Sequence, residues 1–150
     1  MNKPSYKIET SADGLWYEFV SDSQHKSIRK GVGYYLYEEN DIEYAELAFG
    51  DILPNGNIDI KAISDNQDMV IVLSTVIITL YNFFELYPQK TVVFTGSSAS
   101  RNRLYRAIIS KLFEEGRQFF DVSGINYDGS KELFIKNKDY LAFQISLKNE

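Results

Sequence analysis

Cysteine is absent from this 150-residue chain, which excludes a disulfide scaffold and any thiolate metal site. Histidine occurs once, as His25, in a polar stretch between Gln24 and Lys26 that reads as a solvated loop. A metal site would therefore rest on carboxylates, and Asp59, Asp65 and Asp68 lack the spacing of an EF-hand. Neither a metal nor a cofactor is expected. No repeat, low-complexity tract or linker rich in Pro, Gly and Ser interrupts the chain, so residues 1–150 read as a single domain. Glycine-rich nucleotide signatures are missing too. No Gly-Lys-Ser/Thr follows Gly96, the Gly-x-Ser-x-Gly pattern fails at its second glycine, and Gly31-Val-Gly33 lacks a third. Met1-Asn2-Lys3-Pro4 leads into polar sequence rather than the apolar run of a signal peptide, which makes a cytosolic protein the expectation.

Aromatic side chains are plentiful. Hydrophobic residues make up 44% of the chain and aromatics 15%, with 11 Tyr and 10 Phe, a balance that favours a β-rich globular domain over disorder or a coiled coil. A chain of this length buries roughly two thirds of its unfolded surface, enough for one core. The net charge of -5 argues against wholesale nucleic-acid binding while leaving room for a local basic patch. Two basic clusters stand out: Lys26, Arg29 and Lys30, read as solvated surface charge, and Arg101, Arg103, Arg106, Lys111 and Arg117.

A short aromatic run marks a strand at 15–20 and a period-2 pattern one at 28–37, the second with Ile28, Val32, Tyr34 and Leu36 on one face and Gly31 and Gly33 on the other. Residues 44–49 and 58–63 flank Pro54-Asn-Gly-Asn57 as a hairpin. The run 69–87 is apolar enough to suggest a membrane span, but its polar breaks Thr75, Thr79, Asn82 and Glu85 fall on one helical stripe. That spacing predicts a helix lying over a sheet, with no membrane. Ser64-Asp-Asn-Gln67 matches a capping box at its start and Pro88 stops it. A strand at 91–95, a helix from the serines to about Glu115 with a left-handed cap at Gly116, and strands at 121–127 and 141–147 follow. The expected fold is α+β: a mostly antiparallel sheet of about six to seven strands with two helices packed on one face.

The richest chemistry lies where the strand at 91–95 gives way to Gly96, Ser97, Ser98 and Ser100 and then to Arg101, Arg103 and Arg106. A helix amino end already carries about half a positive charge, so arginines there are unfavourable unless something negative is near. Ser97, Ser98, Ser100, Arg101 and Arg103 are therefore candidate anion-binding residues. One of the serines is needed simply as the helix cap. Arg101 falls within the apolar stripe of Leu104, Tyr105, Ile108, Ile109, Leu112 and Phe113, where an uncompensated charge is costly. Two readings stay open: an internal carboxylate such as Asp51, Asp59 or Asp68 pairs with it, or a ligand does. Asp51 is the acid best placed by sequence, as a candidate acid or base or as a turn residue.

The ordered set Ala48-Phe-Gly-Asp51, Ile58-Asp59, Ser64-Asp-Asn-Gln-Asp68, Leu73-Ser-Thr-Val76 and Gly96-Ser-Ser-x-x-Arg101-x-Arg103-Leu-Tyr105 resembles an uncharacterised family of small bacterial proteins, a domain of unknown function. The chain departs from that pattern at Ile60, where a second Asp is common, and at Asn102, where a Thr lies between the arginines. The resemblance implies that Asp51, Asp68, Arg101 and Arg103 belong together and names no reaction.

Two functions follow. One is a small protein that binds a phosphorylated ligand, nucleotide or RNA, through the Ser/Arg turn, for which a toxin-like or defence role fits the size. The other is a non-catalytic module or homo-oligomer in which Arg101 is purely structural and Tyr35 and Tyr37, facing away from the core, meet a protein partner.

Overall fold

A computed structural model describes residues 4–24, 26–59, 66–96 and 98–148. Eight strands and two helices run in the order β1 (Glu9–Thr10), β2 (Trp16–Asp22), β3 (Ser27–Glu39), β4 (Ile42–Asp51), α1 (Met69–Leu86), β5 (Thr91–Thr95), α2 (Ala99–Gly116), β6 (Phe120–Ile125), β7 (Lys131–Leu133) and β8 (Ala142–Leu147). They form one sheet ordered β1-β2-β3-β4-β5-β8-β6-β7, antiparallel everywhere except between β4 and β5. The α+β class and mostly antiparallel sheet match expectation. The count exceeds six to seven because β1 and β7 span only two and three residues, too short for an alternating pattern to register.

The tightest hairpin joins β3 to β4 through Asn40 and Asp41, both at positive φ (52° and 65°), the geometry of a two-residue turn that suits Asn and Asp. The turn read at Pro54-Asn-Gly-Asn57 is also present: Gly56 sits at φ 89°, and Ile52 bridges Ile58. Of its returning arm, Ile58 and Asp59 are described; residues 60–63 lie outside the described residues, as do His25, Ser64, Asp65 and Ser97.

Register places both helices on one sheet face. Tyr34 and Leu47 are paired across β3 and β4, and Ala45 and Val92 across β4 and β5, so Tyr34, Leu47, Val92 and Phe94 point the same way. Against that face Phe83 of α1 stacks on Tyr34 at 4.4 Å, and Tyr105 of α2 meets Phe94 edge-on at 5.4 Å. Both contacts belong to one continuous core. By length and composition α1 could cross a membrane, yet half of it is buried within this fold.

Its polar stripe behaves otherwise than the spacing implies. Thr75 and Thr79 are fully buried, while Asn82 and Glu85 are exposed. The threonines avoid a penalty because each donates back to its own helix, to Ile71 and Val76, and each has a tertiary partner, the Tyr6 amide or the Tyr34 hydroxyl. Asp68 occupies the cap position of the helix without a side-chain bond to it: its carboxylate instead accepts from the hydroxyls of Tyr6 and Ser21, each at 2.5 Å. Gly116 stays helical rather than forming a left-handed cap, and Arg117 closes α2 in the right-handed region. Glycine is needed there for space, since a Cβ would lie 2.9 Å from the Tyr81 hydroxyl.

Tyr17 is fully buried, and its hydroxyl has no hydrogen-bond partner among the described residues. Burial pushes its pKa up to about 12. Because burial penalises the phenolate, the fold keeps its full stability below the unfolded value of pH 10 and loses stability as the pH climbs from there through the folded value. Tyr17→Phe is therefore expected to leave stability at pH 7 unchanged or raised by up to about 1 kcal/mol, because an unsatisfied buried hydroxyl is removed. It should also flatten the loss between pH 10 and 12, as read by urea unfolding across that range.

Candidate functional site

Strands β4 and β5 pair over only three positions, Tyr44, Ala45 and Glu46 against Thr91, Val92 and Val93. Beyond them the chains part, β4 leading toward α1 and β5 turning at Gly96 into α2. Such a crevice at the carboxyl ends of parallel strands is where open sheets commonly hold ligands. Here Arg101 fills it.

Arg101 is 4% exposed, and its Nη1 donates to the Phe49 carbonyl at 2.5 Å and to the Tyr105 hydroxyl at 3.3 Å, while Nη2 donates to the Asp59 carbonyl. The guanidinium thus supplies β4 with a donor where its neighbouring strand has turned away, and ties the arm after the Gly56 turn to the same point. Burial raises the Tyr105 hydroxyl pKa, an effect the adjacent Arg101 charge opposes. Main-chain carbonyls are partners that neither reading of the sequence named. A sequence offers no local signal for them, because they come from β4 and the arm after it, more than forty residues earlier.

Asp51 meets a different cation. Its Oδ1 lies 2.6 Å from Nζ of Lys30, its register partner across β3 and β4, with the two side chains 17% and 2% exposed. Lys30 also sits 5.8 Å from the centre of the Phe49 ring. This corrects the placement of Lys30 in a solvated cluster. The alternation that turned Val32 and Tyr34 inward turns Lys30 inward as well, so the signal was there; only its neighbours Lys26 and Arg29 are exposed. Arg29 pairs with Glu18 at 2.8 Å on the opposite face. The amino end of α1 is fixed nearby by Asn66, which donates to Ser21 and to the Lys26 carbonyl, and by the Asp68 carboxylate.

The serines divide. Ser98 is the cap of α2, in extended conformation, accepting from the Arg101 amide at 3.2 Å. Ser100 is exposed on the first turn, and Ser97 lies outside the described residues. A Cβ on Gly96 would stand 2.8 Å from the Asn102 backbone nitrogen, so only glycine lets the helix fold back this closely over the strand end.

Arg103 and Arg101 leave the helix on opposite sides. Arg103 is exposed and lies outside every ion pair among the described residues. With Ala99, Asn102, Arg106, Tyr127 and Asp139 it lines a cavity of about 270 Å³. Arg106 stands 3.7 Å from Asp139, and Tyr127 donates to the other carboxylate oxygen at 3.1 Å. Asn102 donates through Nδ2 to the Tyr140 carbonyl, while its buried Oδ1 has no partner among the described residues. The remaining members of the basic cluster are spoken for: Lys111 pairs with Glu115, and Arg117 lies over Phe113. Tyr127 and Asp139 come from loops far from α2 in sequence and escaped notice for that reason. Among the described residues no group of three His, Cys, Asp or Glu stands close enough to hold a metal ion.

The contacts of Arg101 fix what its removal does. Arg101→Ala leaves carbonyls of Phe49 and Asp59 without their donor inside the fold, and a loss of about 3 kcal/mol or more is expected by urea unfolding. Arg103→Ala, at a solvated position, should change stability by less than about 0.5 kcal/mol in the same measurement.

No curated protein and no solved structure matches the chain. A family model does, over residues 2–148, in line with the resemblance to a domain of unknown function. The protein thus belongs to the family of unknown function DUF6934.

Proposed function

We propose that the protein binds a phosphorylated ligand, a nucleotide or RNA, in the cavity on the outer flank of the first two turns of α2. The observation that carries this reading is Arg103, exposed and outside every ion pair among the described residues, opening onto the same cavity as Arg106 beside the amino end of a helix with no acidic residue in its first turn. A phosphate placed there gains two guanidinium forks and the positive end of the helix dipole. Ser100, exposed on the first turn, lies outside the cavity's lining.

One further group suits a base more than a bare phosphate: Tyr127 is 62% exposed and offers a ring for stacking. Binding would release Arg106 from Asp139, a small cost because the pair is long at 3.7 Å and its carboxylate is 64% exposed. In this reading Arg101 and Ser98 hold the helix where Arg103 can act, without touching the ligand.

Isothermal titration with inorganic phosphate, adenosine nucleotides and a short ribo-oligonucleotide tests the proposal. Arg103→Ala combined with Arg106→Ala is expected to weaken nucleotide or RNA binding at least about 30-fold, two charge-assisted contacts being lost. Tyr127→Ala should weaken nucleotides and RNA while sparing phosphate, and the double variant should lower the salt dependence of RNA binding by about two phosphate contacts. Equal affinity in wild type and double variant would overturn the assignment.

A further inference from the structure

The sheet face turned away from the helices carries an aromatic and acidic surface that the α2 cavity does not use. Alternation puts Gly31, Gly33, Tyr35 and Tyr37 of β3 on this face, opposite Gly50, Ala48, Glu46 and Tyr44 of β4. Over the glycines the rings lie flat. A Cβ at Gly31 would meet the Trp16 ring at 2.8 Å, and one at Gly33 would meet the Tyr35 hydroxyl at 3.0 Å and Trp16 at 3.2 Å. Tyr37 and Tyr44 stack at 5.1 Å one step further along. Tyr35 and Tyr37 remain 54% and 42% exposed.

On the other side the arm after β4 rises beside this floor, and between them lies a cleft of about 860 Å³ lined by Tyr35, Glu46, Ala48, Leu53, Ile58 and Asp59. No lysine or arginine is among its described lining residues. Acid recurs along the strip: burial raises the Tyr37 hydroxyl pKa, and the charges of Glu46 and Glu39 raise it further. Glu18, on the same face of β2, is engaged by Arg29.

The geometry points to an extended basic segment of a partner protein as the occupant, with an arginine or lysine side chain seated on Tyr35, its charge against Glu46 and its stem on Ala48, Leu53 and Ile58. Three features select it. An acidic aromatic floor attracts a guanidinium or ammonium by charge and by cation–π contact. Tyr35 and Tyr37 are two residues apart on one strand, about 6.7 Å, the same spacing as alternate side chains of an extended peptide laid along it. A second copy of this chain, at net charge -5, would bring like charge to an acidic face, and nucleic acid would be repelled from it.

The test uses the full chain and a labelled decapeptide of alternating arginine and alanine, followed by fluorescence anisotropy and by emission of Trp16, the single tryptophan, which lies beside Tyr35 over Gly33. Wild type is expected to bind the peptide with a change in Trp16 emission. Glu46→Gln and Tyr35→Ala should each weaken binding at least about five-fold, with thermal unfolding confirming that both variants are folded, and the Arg103→Ala, Arg106→Ala double variant should bind as wild type does. That last arm separates this surface from the α2 cavity, so either assignment can fail alone. Three outcomes would overturn the proposal: no binding, binding unaffected by both cleft variants, or argininamide competing as effectively per guanidinium as the peptide, which would mark a site for small organic cations instead.

Discussion

The fold closes around one guanidinium. Parallel strands β4 and β5 share three residue pairs and then diverge, and a diverging sheet leaves main-chain carbonyls that must find donors or lose their solvation without return. Arg101, rooted in the apolar stripe of α2, reaches into the gap and serves carbonyls of β4 and of the arm that follows it. A lysine could not do this as well, since one ammonium lacks the planar fork that addresses two carbonyls at a fixed separation. The arginine that breaks the dipole rule at the start of α2 thus aims its guanidinium away from the helix end, at carbonyls of β4 and of the arm.

Next to it lies a second buried charge. Lys30 and Asp51 face each other across β3 and β4 against the Phe49 ring. A buried pair seldom adds net stability over an apolar substitute, while losing either partner alone is costly. Its consequence here is specificity of register. Slipping β3 by one residue would turn Lys30 to the outer face and leave Asp51 stranded under the helices, so the pair penalises the wrong alignment of the longest hairpin in the sheet.

How much of this could be read from the chain alone depends on how local each cause is. The α+β class, the two long helices, β5 and the alternation of β3 were legible because period and turn residues are local properties. The short strands β1 and β7 were not, since two or three residues carry no period. The α1 stripe was misread because threonine can satisfy itself by donating to the preceding turn, which lets Thr75 and Thr79 go inside. For the site, Arg103 and Arg106 were visible as charge misplaced on a helix. Lys30 was legible by parity and obscured by its basic neighbours. Tyr127, Asp139 and the carbonyls that hold Arg101 were out of reach, because only the tertiary path brings them there.

The short seam between β4 and β5 has a bearing on how the molecule yields. On one side lies a meander of four strands whose neighbours are consecutive in sequence; on the other, β5, β8, β6 and β7. Three rungs join them within the sheet, while α1 and α2 lie across the same boundary, α1 meeting β3 and β6 and α2 meeting β5 and, through Arg101, β4. Cooperative units tend to follow such boundaries, so the line of least resistance in this sheet runs between its fourth and fifth strands, and amide protons on either bank should report two opening energies instead of one.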